Sequence, residues 1–256
     1  AALNPRKGWA DLAWASGPAQ IVQEVPVVGF TGDKFYRPMW FSDEMYEYTG
    51  SVLAIDPSGR GKDETAYAVV KMLNGYLYAS QCGGFKGGYE DKTLQKLANL
   101  AKVEKVSMIV VESNFGDGMF SKLLAPFVNK AYPVSIEEVR HNTQKEVRII
   151  DTLEPVMMQH RLIIDEKLIK EDYESAPEPS YSLFYQMTRL TRDRGAIIHD
   201  DRLEALAMAV NYWTEQMDAD SETIAAQQKL DAFNGEIQRF IDSATGVHKS
   251  VGDRWF

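Results

Sequence analysis

The sequence predicts a mixed α/β fold in which a central sheet carries helices on both faces. Two apolar segments flank Asn74-Gly75, a dipeptide preferred in tight hairpin turns, so the sheet should begin with antiparallel strands. Further along the chain, short apolar runs alternate with segments of helical periodicity, which is typical of strands joined by helices. With 256 residues, 45% of them hydrophobic, the chain can bury a substantial core.

The elements follow in order along the chain. The apolar run 51–56 predicts a buried strand that ends in the carboxylate of Asp56, and a similar run predicts a strand just before Glu112. Apolar residues three and four positions apart predict the helices. The other expected elements are strands at 65–72 and 76–82, a helix at 90–103, a strand at 106–111, a helix at 119–130, a strand at 133–139, a helix at 144–160, a strand at 161–165 and helices at 181–191 and 201–217.

The regions outside these elements differ in composition. Residues 1–50 mix Gly, Pro and aromatic residues without a sustained period, so we interpret them as an extended arm or linker, as expected for a piece of a longer chain. Residues 218–256 form an acidic C-terminal tail, either a surface helix or a mobile segment. The predicted α/β domain therefore occupies residues 51–217, between an N-terminal linker arm and this tail.

Charge and cysteine content limit the possible functions. The formal net charge of −9 disfavours a protein that binds nucleic acid over its whole surface, but residues 203–242 alone contribute −6 through eight acidic and two basic residues. The single cysteine, Cys82, excludes an internal disulfide and a cysteine zinc site and is expected to be buried. No apolar run reaches the length of a membrane span, so a soluble protein is expected.

Acidic residues mark three points of the predicted fold. Asp56 and Glu112 each end a strand, and Asp200 and Asp201 open the last predicted helix. If the two strands are neighbours, their ends converge. Carboxylates are the preferred ligands of Mg²⁺ or Mn²⁺, and two such ions can cleave a phosphodiester.

Four sequence blocks carry a family resemblance. They read VLAID followed by GRGKD at 52–63, IVVESN at 109–114, KEVRII with LEP at 145–155 and HDDRLEA at 199–205. In this order they resemble the C-terminal nuclease domain of the large terminase subunit of tailed bacteriophages, most of all the short-tailed T-odd coliphage group. The resemblance covers about residues 50–217. It implies an RNase H-like fold and a metal-dependent endonuclease that cleaves concatemeric double-stranded viral DNA during genome packaging.

The resemblance also assigns roles to residues. It implies that Asp56, Glu112 and one of Asp200 and Asp201 are the catalytic residues and hold two Mg²⁺ or Mn²⁺ ions. The sequence does not separate Asp200 from Asp201, although we favour Asp201. Lys145 and Arg148 match basic positions of the family that would meet a DNA phosphate. Apart from the resemblance, the charge distribution adds Arg60 and Lys62 to the basic residues expected to bind the DNA backbone around the acids. His199 is expected either to assist the metal site or to lie at the surface.

The implied partners are those of a packaging machine. Segment 59–63 lacks the spacing of an ATP-binding phosphate loop, so the ATPase motor of the full-length protein would precede residue 1. The portal protein and the small terminase subunit are the other expected partners. The expected location is the cytoplasm of the infected bacterial host, with transient docking on the procapsid.

Two other functions stay open at this point. One is an actin-like phosphotransferase, which would need a second Gly-rich hairpin that the sequence does not contain. The other is a catalytically inert acidic docking module for the portal or another protein.

Overall fold

The computed structural model describes residues 3–23, 34–58, 64–113 and 118–245 of the chain. The chain divides into two compact units, Ala1–Trp213 and Thr214–Phe256. The first contains all the described strands, and the described part of the second is helical.

Short strands form within the N-terminal 50 residues. They are β1 (Lys7–Trp9), β2 (Leu12–Ala13), β3 (Trp40–Phe41) and β4 (Met45–Glu47). β1 pairs with β4 and β2 with β3, both antiparallel. Trp9 and Leu12 are buried in an apolar cluster that also contains Tyr78. Strands of two or three residues are too short to leave a period in the sequence, so the sequence predicted only an extended arm. The division into domains stays a prediction.

The central sheet has six strands in the order β10-β7-β6-β5-β8-β9. They are β5 (Gly50–Asp56), β6 (Thr65–Leu73), β7 (Tyr76–Phe85), β8 (Met108–Glu112), β9 (Ile136–Val139) and β10 (Leu162–Ile164). The strands β5, β6 and β7 form the predicted antiparallel meander, and β8 runs parallel to β5. At the hairpin, Asn74 and Gly75 have φ angles of 49° and 78°, the left-handed conformation that these residues tolerate best.

Helices connect and cover these strands. They are α1 (Asp91–Glu104), α2 (Met119–Ala131), α3 (Lys145–Met158), α4 (Glu166–Ser175), α5 (Leu183–Arg189) and α6 (Asp201–Thr245). The predicted mixed α/β fold is confirmed. The helix α4 was not predicted from the sequence; its N-cap Asp165 accepts a hydrogen bond from the backbone N–H of Lys167. The helix α6 is longer than the predicted 201–217. Among the described residues, no helix combines the length and the apolar character needed to span a membrane.

The two faces of the sheet carry different helices. On one face, Leu53, Ile55 and Ile109 pack with apolar residues of α1 and α2. On the other face, the N-terminal part of α6 approaches the meander. The Trp213 indole donates to the Val70 carbonyl over 3.0 Å, and the buried Cys82 thiol contacts a backbone carbonyl of α6. Because strand residues alternate between faces, Asp56 lies on the α6 face, opposite to Leu53 and Ile55.

Candidate functional site

Two acidic side chains meet where β5 and β8 end. In the parallel pairing of these strands Ile55 is opposite Val111, so Asp56 and Glu112 are adjacent one residue further on. Both side chains are buried, with residue exposures of 9% and 6%. The expected convergence of the two strand ends is therefore present in the fold.

A third carboxylate comes from α6. Glu204 is fully buried, and one oxygen each of Asp56, Glu112 and Glu204 lie within 4.8 Å of one another. Glu204 was not among the site residues predicted from the sequence. A signal was present, because Glu204 follows Asp201 by three residues and Asp200 by four, the spacing that places side chains on one face of a helix.

The two aspartates that precede Glu204 lie nearby but outside this set of three. The Asp200 side chain is 21% exposed, and its Oδ1 lies 2.7 Å from Lys145 Nζ. Its carbonyl accepts the backbone N–H of Glu204 over 2.8 Å, in the first turn of α6. Asp201 is half-buried and close enough to Asp56 to raise the pKa of that carboxyl.

Two cations from α3 stand among the carboxylates. Lys145 forms ion pairs with Asp200 and Glu204, and its Nζ lies 3.8 Å from Asp56 Oδ2. Arg148 pairs with Glu204 and lies 3.6 Å from Glu112 Oε1. The structure thus brings both predicted basic residues to the acidic cluster.

Burial and crowding of like charges change the proton affinities at the site. Burial raises the pKa of the Asp56 carboxyl well above its ordinary value. Lys145 opposes this rise, whereas the Glu112 and Asp201 carboxylates add to it. Burial lowers the pKa of Lys145, but Asp56 and Asp200 outweigh this effect and raise it overall. The site therefore favours a proton or another cation close to Asp56.

The remaining predicted residues are Arg60, Lys62 and His199. Arg60 and Lys62 lie outside the described residues. The His199 ring stacks on Tyr181 with ring centroids 3.7 Å apart, and His199 is half-buried. Among the described residues, the group of side chains that could hold a metal ion consists of Asp56, Glu112 and Glu204 and does not include His199.

The donor set matches hard divalent cations. Glu112 Oε1 and both carboxylate oxygens of Glu204 are buried and have no hydrogen-bond partner among the described residues, although cationic side chains stand beside them. Counting Asp56, Glu112, Asp200, Asp201 and Glu204 against Lys145 and Arg148, the group has a formal charge of −3 when fully ionised. Mg²⁺ and Mn²⁺ prefer carboxylate oxygens, so these residues fit such ions.

Comparison with known proteins relates the chain to viral terminases. Residues 55–162 match the sequence model of a family described as Terminase Bacteriophage T7, Ribonuclease H-like domain. The large terminase subunit of Enterobacteria phage T3 is 46% identical over 258 residues, which cover 98% of this chain and 44% of that protein. The chain therefore spans less than half the length of this curated relative. The family match includes Asp56, Glu112, Lys145 and Arg148, whereas the acidic residues of α6 follow it.

Two viral nuclease domains are among the solved structures that the comparison matched to this chain. The human cytomegalovirus terminase nuclease domain, soaked with Mn and bound to an inhibitor, is 16% identical, with 65% of this chain and 84% of that chain covered and a TM-score of 0.49. The nuclease domain of the large terminase subunit of bacterial virus Sf6 is 14% identical, with 64% and 88% covered and a TM-score of 0.41.

Proposed function

Because the chain belongs to the terminase large-subunit family and has its RNase H-like nuclease fold, we propose that it is a metal-dependent endonuclease acting on concatemeric double-stranded viral DNA. The observation that carries this proposal is the buried cluster of Asp56, Glu112 and Glu204. Burying three carboxylates together costs free energy, because each loses its hydration and repels the other two, and a bound divalent cation would offset this cost.

The metal ligands in this proposal come from two strands and one helix. Asp56, Glu112 and Glu204 would hold Mg²⁺ or Mn²⁺. Asp201 is the candidate for a further ligand, because its carboxylate is close enough to Asp56 to raise the pKa of that carboxyl. Two such ions, when bound, supply a nucleophile from water and stabilise the leaving oxygen of a phosphodiester. Asp200 is the weaker candidate, because its carboxylate is partly exposed and already faces Lys145.

Lys145 and Arg148 are proposed to bind the DNA backbone at the site. The Lys145 side chain is 35% exposed and that of Arg148 17%, so both reach from the buried acids towards solvent. A phosphate beside the acids would give these cations an alternative partner to Glu204. Metal ions bound to the carboxylates would offset their negative charge, so Lys145 and Arg148 would then supply the local positive charge that phosphate contacts require.

The biological setting follows from the family. We propose that the chain works in genome packaging with the portal protein, the small terminase subunit and an ATPase motor domain, in the cytoplasm of the infected host and docked on the procapsid. Since the chain spans 44% of the phage T3 protein, these partners belong to the proposal for the whole machine. The match to a terminase family favours this function over the actin-like phosphotransferase.

The test of the proposal is cleavage of supercoiled plasmid by the purified chain with Mg²⁺, Mn²⁺ or EDTA. Cleavage should require the metal and fall at least about 100-fold in Asp56→Asn and in Glu112→Gln, because each change removes one of the carboxylates that would hold the ions. The matched control is Glu137→Gln, which removes an exposed carboxylate from β9, next to β8.

The outcomes separate the enzyme from an inert module. Cleavage that persists in EDTA, or that is equal in Asp56→Asn and the Glu137→Gln control, would reject the metal-dependent nuclease. A chain that cuts no DNA under any metal condition, yet binds a partner protein, would support the acidic docking module.

A further inference from the structure

A buried arginine occupies the first turn of α6, next to the candidate metal ligands. The Arg202 side chain is fully buried, between Glu64, which immediately precedes β6, and Asp172 on α4. Its Nε and Nη2 each donate to Glu64 Oε2 over 3.1 Å. Its Nη1 donates to Asp172 Oδ1 over 2.8 Å and contacts Ser175 Oγ at 3.1 Å. We call Arg202, Glu64 and Asp172 the Arg202 triad.

The Arg202 triad lies on the opposite side of α6 from the acidic cluster. Successive residues of a helix are about 100° apart around its axis, so Arg202 and Glu204 are separated by about 200°. Asp201 and Glu204, three residues apart, share a face. The first turn of α6 is therefore held on one side by the guanidinium and presents its carboxylates on the other side.

The Arg202 triad also connects α6 to neighbouring helices. Asp172 accepts the backbone N–H groups of Leu183 and Phe184 over 2.8 and 3.2 Å, at the start of α5. The buried Gln186 of α5 accepts the backbone N–H of Leu203 over 2.9 Å. Rotation of α6 about its axis would break the contacts of Arg202 and Leu203 together, because both residues lie in its first turn.

We infer that Arg202 is a positioning residue, which fixes the rotation of α6 so that Glu204 and Asp201 face Asp56. This inference rests on the proposed metal-dependent function. Buried ion pairs contribute little net stability, because desolvation offsets most of their attraction, and their best-attested use is to select one arrangement over another. The forked guanidinium suits this role, because it donates hydrogen bonds at once to carboxylates from two distant segments of the chain.

The test compares two conservative swaps at buried ion pairs in the full chain. Arg202→Lys keeps the charge but loses the fork. Its matched control is Lys71→Arg, at the buried Lys71–Glu104 pair, where the Lys71 Nζ lies 2.7 Å from Glu104 Oε2. In the sheet Lys71 is opposite Ser51, at the other end of β5 from Asp56. Mn²⁺ affinity is measured by electron paramagnetic resonance titration, beside the thermal unfolding midpoint.

The expected result is a split between the two measurements. Both swaps should lower the unfolding midpoint, but only Arg202→Lys should weaken Mn²⁺ binding, by about 10- to 100-fold, as for the loss of groups that orient metal ligands. Cleavage by Arg202→Lys should recover at saturating Mn²⁺, because the ligands themselves remain.

Two results would overturn the inference. If Asp56→Asn lowers Mn²⁺ affinity but Arg202→Lys leaves it within about twofold of the parent chain, well short of the loss expected for a group that orients a ligand, the metal site stands and the positioning role fails. If Asp56→Asn does not change Mn²⁺ affinity, the proposed metal site itself fails and the inference with it. Should Arg202→Lys not fold, Glu64→Gln provides the same comparison, because it weakens the same contact from the other side.

Discussion

Replacing Glu204 by Gln removes one carboxylate from the candidate metal site with little change in shape. Glu204 is fully buried, approaches Asp56 and Glu112 and pairs with Lys145 and Arg148. The amide keeps the side-chain length but has no charge to offer a cation. The substitution also removes the negative charge that neutralises Lys145 and Arg148, so these two side chains repel an incoming metal ion more strongly.

The size of the effect follows from the charge that the substitution removes. Two unit charges 4 Å apart interact by about 4 kcal/mol at an effective dielectric constant of 20, and a divalent ion doubles this. Part of the gain is offset, because metal binding must release Lys145 and Arg148 from Glu204. We expect a net loss of at least about 2.7 kcal/mol, which corresponds to about 100-fold in the Mn²⁺ dissociation constant.

The measurement is a calorimetric titration of the parent chain and the variant with Mn²⁺, with plasmid cleavage in parallel. Asp200→Asn is the matched comparison and should lose about tenfold or less, because this carboxylate is 21% exposed and solvent screens its charge. Mn²⁺ binding by Glu204→Gln within about threefold of the parent, about 0.65 kcal/mol, would refute the assignment of Glu204 as a ligand. If Asp200→Asn loses more Mn²⁺ affinity than Glu204→Gln, the third ligand is Asp200, one of the two residues first predicted from the sequence.

Three further predictions test other parts of the description. Lys145→Ala should weaken DNA binding mostly at low salt and reduce the slope of log affinity against log salt by about 1, measured by fluorescence anisotropy in Ca²⁺, and an unchanged slope would remove Lys145 from the DNA contact. Because burial raises the pKa of Asp56 in the folded state, the metal-free chain should lose stability as the pH rises from about 4, where an unfolded Asp ionises, through the raised pKa, whereas Mn²⁺ binding should strengthen over the same range. The thermal unfolding midpoint measured against pH tests this prediction. If Asp56→Asn shows the same dependence of its midpoint on pH as the parent chain, the prediction is contradicted. Gly75→Ala should lower the free energy of unfolding in urea by about 1 kcal/mol, because Gly75 has a φ of 78°, and Gly75→Asn should cost less because Asn tolerates this conformation better; equal costs would argue against backbone strain.

The parts of the fold that depend on local pattern could be predicted from the sequence. The strand ending at Asp56, the turn at Asn74-Gly75 and the strand ending at Glu112 each occupy the predicted place. Apolar periodicity and turn chemistry are local properties, so a few neighbouring residues suffice to specify them. The short strands of the N-terminal arm could not be predicted, because they form by packing Trp9 and Leu12 on the central sheet rather than by a pattern of their own.

The candidate site also has a part that local sequence predicts and a part that depends on the folded chain. The sequence by itself determined which carboxylates end the strands, since a buried run followed by an acid needs only local reading, and it placed further acids at the start of α6. Only the tertiary structure decided that Glu204 joins Asp56 and Glu112. The physical reason is that the face a helix presents depends on its rotation. For α6 that rotation depends on contacts of Arg202 with Glu64 and Asp172, which are distant in sequence and meet only in the folded chain.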